Sequence, residues 1–413
     1  MARVRATVRD LRRVNRSAVL RPLFLDGPLN RVVLAQQTGL SSGSVTNVIG
    51  DLLSEELVVE VGTEESDGGR PRVLLQVNPD FGVVIGVDVG ETGIRVEGFD
   101  LSMSELAGAT VGVHPQEHDA TSIVEHVAAA VNELRTQFEG EGRRILGVGV
   151  AVPGVVEHDP DVRVHAPSIG WQAVPLARLL RDRVELPLFI ENGAKTLGQA
   201  EMWLGAGRGA RHAVVTLWGT GVGAAMFADG ILYRGAASSA GEWGHTSVVV
   251  GGKNCRCGAA GCLEAYIGAE ALLQEWARAD DAVSLPAQFV QEEWLARLVA
   301  ASSSSDSASL LLDRTATYFG TAAANLVNLF NPERIIVGGW AGLQLGPVLL
   351  PKIRAVIAAQ ALDYSATRVT VELGQLGNDA VALGASTLVV EELLAGGGRP
   401  PEVRAERRPR VSL

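Results

Sequence analysis

All three cysteines of this 413-residue chain fall within eight consecutive positions, and that crowding constrains the fold more than any other feature. Cys255, Cys257 and Cys262 follow His245 in the pattern His245-x9-Cys255-x-Cys257-x4-Cys262. An odd, clustered set in a chain expected to meet reducing conditions points to a metal rather than to disulfides. Three thiolates and one imidazole complete a tetrahedral zinc site with no open position, so the ion is expected to be structural. Gly251, Gly252, Gly258 and Gly261 let the chain turn tightly around it. Buried, reduced thiols are the plainer alternative.

A chain of this length exceeds one core, so two or three domains are expected. Apolar residues make up 47% and charged residues 20%, which excludes a disordered chain. No run of about 18 apolar residues is evident, so no membrane partner is expected. The basic start, Met1 to Arg5, lacks a following apolar segment, so the expected location is cytoplasmic. The net charge of −11 argues against wholesale nucleic-acid binding, but the charge is unevenly placed. Residues 1–31 hold eight Arg against Asp10 and Asp26, while residues 78–413 carry −12. A basic head on an acidic body suits a small DNA-binding module on a larger domain. An Arg-rich solvated helix face is the plainer reading.

The head is expected to span residues 1–78. Residues 9–25 predict a helix, with Leu11, Val14, Ala18 and Val19 near helical spacing and an Asp-Gly-Pro stop at 26–28. Asn30 caps a second helix, Arg31 to Thr38, stopped by Gly39. Ser41 caps a third, from Ser42 to about Glu56, with the inward stripe Val45, Val48, Ile49, Leu52 and Leu53. Strands are expected at Val58–Val61 and Val73–Val77, joined by a hairpin loop. Three helices and a two-stranded wing make a winged helix-turn-helix. Its third helix would enter the major groove, presenting Ser42, Ser44 and Asn47 to phosphates or base edges. In the wing, Gly69 permits close approach and Arg70 suits a narrow minor groove. Ser41 has its ordinary role as a cap.

After Asn78-Pro79-Asp80, a buried strand running to Asp88 opens a second, α/β fold, and strands and helices alternate to about 395. Ser302 to Ser309 is expected as a loop, and 396–413 as a disordered tail. One weak repeat stands out. Asp88-Val-Gly90-Glu91-Thr92 aligns, at an offset of 129, with Leu217-Trp-Gly219-Thr220-Gly221. Each reads as strand, glycine turn, strand, so two lobes would each open with a glycine hairpin, the layout of a nucleotide clamp; two unrelated hairpins are the alternative. Gly219 to Ala224 superficially matches a dinucleotide fingerprint, but strand-like residues follow it instead of a helix.

The block Gly241-Glu242-Trp243-Gly244-His245, running into Cys255-Arg256-Cys257-Gly258-Ala259-Ala260-Gly261-Cys262-Leu263-Glu264, resembles the signature of the ROK family, named for repressors, open reading frames and kinases. Ala151 to Gly154 and Ala166 to Trp171 resemble its sugar-cleft loops, although members often carry Asn where Ser168 stands. Ile335 to Gly339 resembles its adenosine-side glycine pair, and Leu376 to Ala385 its C-terminal segment. The resemblance spans about residues 10–395 and implies a two-lobed actin/hexokinase-like ATPase fold (sugar kinase, ribonuclease H-like) behind the winged helix-turn-helix. The lobes would cover 81–192 and 193–395, with the C-terminal helix packing back on the first. It also implies a structural zinc and a sugar site using Asn192, Glu242, His245, Glu264, Gly154 and Ser168. Carboxylates and an amide suit a polyol, and one His245 nitrogen would meet zinc while the other faces the sugar.

Two departures bear on activity. Family kinases carry Asp-x-Gly-Gly-Thr at the first phosphate loop, where this chain has Asp88-Val-Gly90-Glu91-Thr92. Glu91 adds bulk and like-charge repulsion where backbone amides would meet phosphate. Gly193 stands where the family's base, an Asp, is expected, and losing a general base costs about 10²–10⁴ in rate. With the loops at Asp88, Gly90, Glu91, Thr92 and at Gly219, Thr220, Gly221 degenerate in this sense, ATP is not expected as a cofactor and no catalytic residue is assigned. The resulting expectation is a sugar-responsive transcription regulator, binding an inverted-repeat operator in double-stranded DNA as a homodimer or tetramer and taking a small sugar effector. The alternative is an ATP-dependent sugar kinase with an accessory DNA-binding head.

Overall fold

The computed structural model describes residues 7–65, 71–158, 162–286 and 289–403. Thr7 opens helix α1 (Val8–Asp26) with a capping box: its hydroxyl accepts from the Asp10 amide, and the Asp10 carboxylate accepts from the Thr7 N–H. Strand β1 (Leu29–Asn30) leads into α2 (Arg31–Thr38), capped by Asn30 and ended by Gly39 at φ +69°. Helix α3 (Ser42–Ser54) starts from the Ser41 cap. Strands β2 (Val58–Glu64) and β3 (Arg72–Val77) pair antiparallel, and the sheet order is β1-β3-β2. Gly69 and Arg70 of the expected wing lie outside the described residues.

The inward stripe of α1 differs from expectation. Leu11 and Val14 are 56% and 52% exposed, while Arg16, Val19, Leu20 and Leu23 are buried. Three arginines of the first turns tie the helix to its neighbours instead. Arg12 reaches Asp51, Arg13 the Ala395 carbonyl, and Arg16 both Glu55 and the Gly397 carbonyl. Arg12 and Arg13 remain exposed while making these bonds, and Arg16 alone of the three is buried.

The first lobe carries β4 (Val83–Val89), β5 (Gly93–Phe99), β6 (Glu105–Gly112), α4 (Ala120–Gly140) and β7 (Ile145–Val152). A small sheet of β8 (Val155–Glu157), β9 (Arg163–Ala166) and β10 (Trp171–Val174) follows, then α5 (Leu176–Arg181), β11 (Leu188–Asn192) and α6 (Gly193–Leu204). Its main sheet has the order β11-β7-β4-β5-β6. The second lobe carries β12 (Ala213–Trp218), β13 (Val222–Ala228) and β14 (Ile231–Leu232), then α7 (Glu264–Ile267), α8 (Ala269–Ala279), α9 (Gln291–Ala301) and α10 (Asp306–Phe330). After these come β15 (Arg334–Gly338), α11 (Trp340–Gln360), α12 (Asp363–Ala366), β16 (Thr370–Leu373) and α13 (Ala380–Ala395). Its sheet runs β14-β13-β12-β15-β16. Each sheet thus has an antiparallel hairpin flanked by a parallel strand, β4–β5 beside β7 and β12–β13 beside β15. The two glycine hairpins are the repeat seen in the sequence.

Helices α6 and α13 pack against each other, α6 on β12 and β13 and α13 on β4 and β7. Gly86 and Gly149 make the second contact possible. A Cβ on either would lie 1.9 Å or 1.8 Å from a carbonyl oxygen of α13. At its far end α13 enters the head: Val389, Val390, Leu393 and Leu394 share one core with Val19, Leu20, Leu57 and Leu75. Trp203 of α6 sits edge-on to Phe24 with Arg21 over its ring.

Two further expectations shift. Only 302–305 is loop; Ser305 caps α10 through the Ala308 amide, so the remaining serines are helical. The expected disordered tail does not begin at 396, because Gly397 and Gly398 are buried against Arg16 and Leu57. Residues 404–413 lie outside the described residues. Among the described helices, α11 alone is long and apolar enough to cross a membrane; here it packs on α10 with Leu345, Leu349, Ile353 and Ile357 buried.

Candidate functional site

The four candidate metal ligands converge. One ligand atom each from His245, Cys255, Cys257 and Cys262 lies within 4.8 Å of the others. The Cys257 and Cys262 sulfurs are 3.7 Å apart, too far for a disulfide. A tetrahedral ion with Zn–S bonds of about 2.3 Å places its sulfurs about 3.8 Å apart, so the spacing fits zinc. Burial and the neighbouring thiols push the Cys262 thiol up to about 12, while, against burial, hydrogen bonds from Ala259 and the neighbouring thiols bring Cys257 down. His245 Nδ1 lies 3.6 Å from the Cys255 sulfur, and Nε2 lies 4.0 Å from a Glu242 oxygen. The ring therefore has one nitrogen on the metal side and one toward Glu242.

Glu242 and His245 flank a single 3-10 turn, Trp243–His245, and burial raises the Glu242 carboxyl against the pull of His245 and Lys195. Glu264 opens α7 and is buried; one oxygen accepts from the Val222 amide at 2.9 Å, and the other faces Arg256 at 3.4 Å. A Cβ on Gly221 would lie 2.6 Å from Glu264, so the second glycine turn rests directly on this carboxylate. Asn192 is the cap of α6: its carbonyl accepts from the Ala194 and Lys195 amides, and its amide donates to the Gly154 carbonyl at 2.6 Å. Gly154, at φ +77°, has no room for a side chain beside the His165 carbonyl. Ser168 is half-buried on the 3-10 turn between β9 and β10 and is not hydrogen-bonded into this cluster among the described residues.

Beside Asn192 the structure assembles a cluster that the sequence reading missed. Glu191 is buried among Arg234 at 3.1 Å, His158 at 3.7 Å and Lys195 at 4.0 Å. Burial alone would raise its pKa; His158, Arg234 and Lys195 bring it down to about 2. Lys195 is itself buried and donates to the Ser238 carbonyl. The Glu191–Lys195 spacing of four was the available signal. Gly193 sits one residue from Asn192. A Cβ there would meet nothing closer than 3.7 Å, so a side chain could begin at this position without a clash.

The two glycine turns close alike. The Gly90 amide donates to the Gly93 carbonyl, and the Gly219 amide to the Gly221 carbonyl, both at 2.9 Å. Thr220 bonds Gln291 at 2.9 Å. Thr92 lends its carbonyl to the Val113 amide. Asp88 faces Arg95 across the hairpin, and burial pushes it to about 6 with Arg95 pulling back. Arg95 also pairs with Asp379 and lies 3.5 Å from Glu97. Glu97 is buried and raised to about 7, chiefly by that burial. Glu91 crosses to the second lobe and meets Arg256, between the candidate ligands Cys255 and Cys257, at 2.6 Å. Neither Arg95 nor Arg256 was singled out from the sequence; both are lone cations inside motifs read for other residues.

On α3, Ser42 and Asn47 are exposed as expected, together with Thr46, which the reading passed over. Ser44 is half-buried and its hydroxyl lies 2.9 Å from that of Ser41, so it faces the cap more than solvent. Ser41 caps the Ser44 amide at 3.1 Å.

The ROK family profile matches residues 84–392. A xylose repressor from Caldicellulosiruptor bescii is 30% identical over 404 residues, 93% of this chain and 97% of the repressor. A solved ROK family transcriptional regulator, a homologue of the E. coli MLC protein, matches with a TM-score of 0.77 at 23% identity, over 94% of this chain and 98% of its own, which speaks for the fold. A solved ROK family glucokinase from Streptomyces griseus, in complex with glucose and AMPPNP, matches with a TM-score of 0.65 at 28% identity, all of it falling on 75% of this chain.

Proposed function

The chain belongs to the ROK family, and on that premise we propose that it is a sugar-responsive DNA-binding repressor of genes for carbohydrate use. One observation carries the reading: the winged head shares a core with α13 and is touched by α6, the helix whose cap lies in the cleft. A head that merely accompanied an enzyme would need no such joint.

The zinc would be held by His245, Cys255, Cys257 and Cys262. When bound, it supplies four fixed bonds that stiffen the loop between Glu242 and Glu264. Those two carboxylates and His245 Nε2 then offer acceptors and a donor to adjacent sugar hydroxyls, with Asn192, Gly154 and Ser168 on the facing lobe. Sugar held by both lobes biases their closure, and closure moves α6 against Phe24 and Arg21 of the head. In a homodimer, or a dimer of dimers, that motion changes the spacing of two recognition helices on an inverted repeat. Such a regulator works in the cytoplasm, where its operator is. Ser42, Ser44 and Asn47, with Gly69 and Arg70 of the wing, are the proposed DNA contacts. Without a base at 193, and with Glu91 in the phosphate turn, ATP-dependent phosphorylation is not part of this reading.

The test uses the full chain. Genomic fragments are selected at low salt, and a thermal-shift panel of D-xylose, D-glucose, N-acetylglucosamine and their phosphates is run in parallel. The expected result is one fragment carrying an inverted repeat, and one sugar that changes its affinity at least about ten-fold, a coupling of about 1.4 kcal/mol. No selected fragment, or a bound sugar that leaves DNA affinity unchanged, defeats the reading. Coupled ADP release of a few turnovers per second with any panel sugar would favour the kinase instead.

A further inference from the structure

We propose that Arg256 is a binding site for a phosphoryl anion that the chain fills with its own Glu91 carboxylate. Arg256 extends from the zinc loop into the gap between the two glycine turns. Its Nη1 is 2.6 Å from a Glu91 oxygen on the first turn. Its Nη2 is 3.4 Å from where a Cβ on Gly221 of the second turn would lie. The same Nη2 reaches Glu264 at 3.4 Å, and Glu270 stands 3.9 Å from Nη1. The closest contact is thus the one made across the lobes, between residues 165 positions apart.

A guanidinium recognises carboxylate and phosphate oxygens by the same fork. The Glu91 side chain is 17% exposed and that of Arg256 33%, so the pair lies partly shielded between the lobes rather than free on the surface. Glu91 therefore does more than repel phosphate. It supplies the anion at the junction of both turns and fastens one lobe to the other with no ligand present. Without Glu91, Arg256 Nη1 keeps only the longer Glu270 contact and becomes available to a phosphate oxygen. The inference takes from the proposed function only the location of the phosphate turns; its failure would leave DNA and sugar binding by the wild-type chain untouched.

The experiment titrates a fluorescent ATP analogue, and separately inorganic phosphate, into the zinc-loaded full chain. Wild type, E91G, E91Q and E91G/R256Q are compared, each first checked for zinc content and melting temperature. Removing Glu91 is expected to tighten both anions at least about ten-fold in E91G, with a smaller gain in E91Q, whose amide still fills the space. E91G/R256Q is expected to fall back to within about two-fold of wild type. If the double variant loses its zinc, E91G/R256K replaces it and keeps less than half of the gain, because an ammonium lacks the fork. No gain in E91G overturns the proposal. So does a gain that survives loss of the guanidinium, since backbone relief at position 91 would then explain it. A gain for the ATP analogue without one for phosphate also overturns it, because the site would then be reading the nucleoside.

Discussion

The hairpins β4–β5 and β12–β13 place a glycine turn at matching points of two similar sheets, yet the turns are occupied differently. Around the second, Gly221 and the Val222 amide lie against Glu264, Gly219 faces Trp340, and the His/Cys loop follows in sequence. Around the first, Asp88, Arg95, Glu97 and Asp379 form a closed set of charges, and Glu91 leaves the turn to meet the other lobe. The backbone frame of the two walls is shared; the side chains differ, with Glu91 of the first turn bonded to Arg256 across the lobes and Gly221 of the second seated on Glu264.

The largest effect expected on this comparison concerns the second wall. C257S, or zinc removal by a chelator, should cost on the order of 3–5 kcal/mol and abolish sugar binding, read by metal analysis and thermal melting. An unchanged melting temperature with no zinc present would show that the wall stands without its ion. Next comes the rod that joins both walls to the head. W203A removes a buried ring from the contact with Phe24 and Arg21, and should cost about 3 kcal/mol. It should also shrink the sugar-induced change in operator affinity while sparing sugar affinity itself. Equal loss of both would place Trp203 in the sugar site rather than in the relay.

A smaller effect tests the first wall. Glu97 is raised to about 7 from an ordinary 4.5, so between those values the folded chain holds a proton that the unfolded chain has lost. Stability from this group is therefore greatest below about pH 4.5 and falls as pH rises toward 7. E97Q should stabilise by about 1–2 kcal/mol at pH 8 and by almost nothing at pH 4, measured by urea melts at both values. A gain equal at both pH values would mean the carboxyl is not strained by burial. The smallest shift is expected from G193D. It replaces glycine at the first turn of α6 with an acid near the positive helix end, so a gain of about 0.5–1 kcal/mol is expected. ADP release should stay at background, because Glu91 still occupies the phosphate turn. Sugar-dependent turnover in G193D would place the whole loss of activity on the base.

The head, the paired lobes and the metal quartet were legible because each is written locally. Asn30 and Gly39 bound α2, Ser41 opens α3, and the ligands of the quartet lie within one short segment. What escaped reading joins distant segments. Leu11 and Val14 have helical spacing, but only the fold shows that they are exposed, that Arg16 is buried on Glu55 and the Gly397 carbonyl, and that Arg12 and Arg13 bond Asp51 and the Ala395 carbonyl from the surface. Asn192, read as a sugar ligand, also caps α6 and holds the Gly154 carbonyl, a bond across 38 positions that spacing does not show. Arg234 and Arg256 carry no motif of their own; their meaning comes from carboxylates contributed by the opposite lobe.

The clasp between the head and residues 389–398 has a consequence for biosynthesis. Leu20 and Leu57 are buried partly by residues made at the end of translation, among them Leu393, Leu394 and Gly398. Domains made first usually fold first as they leave the ribosome. Here the head must wait for the far end of the message to cover its apolar flank, and a prematurely terminated product leaves the ribosome with that flank bare.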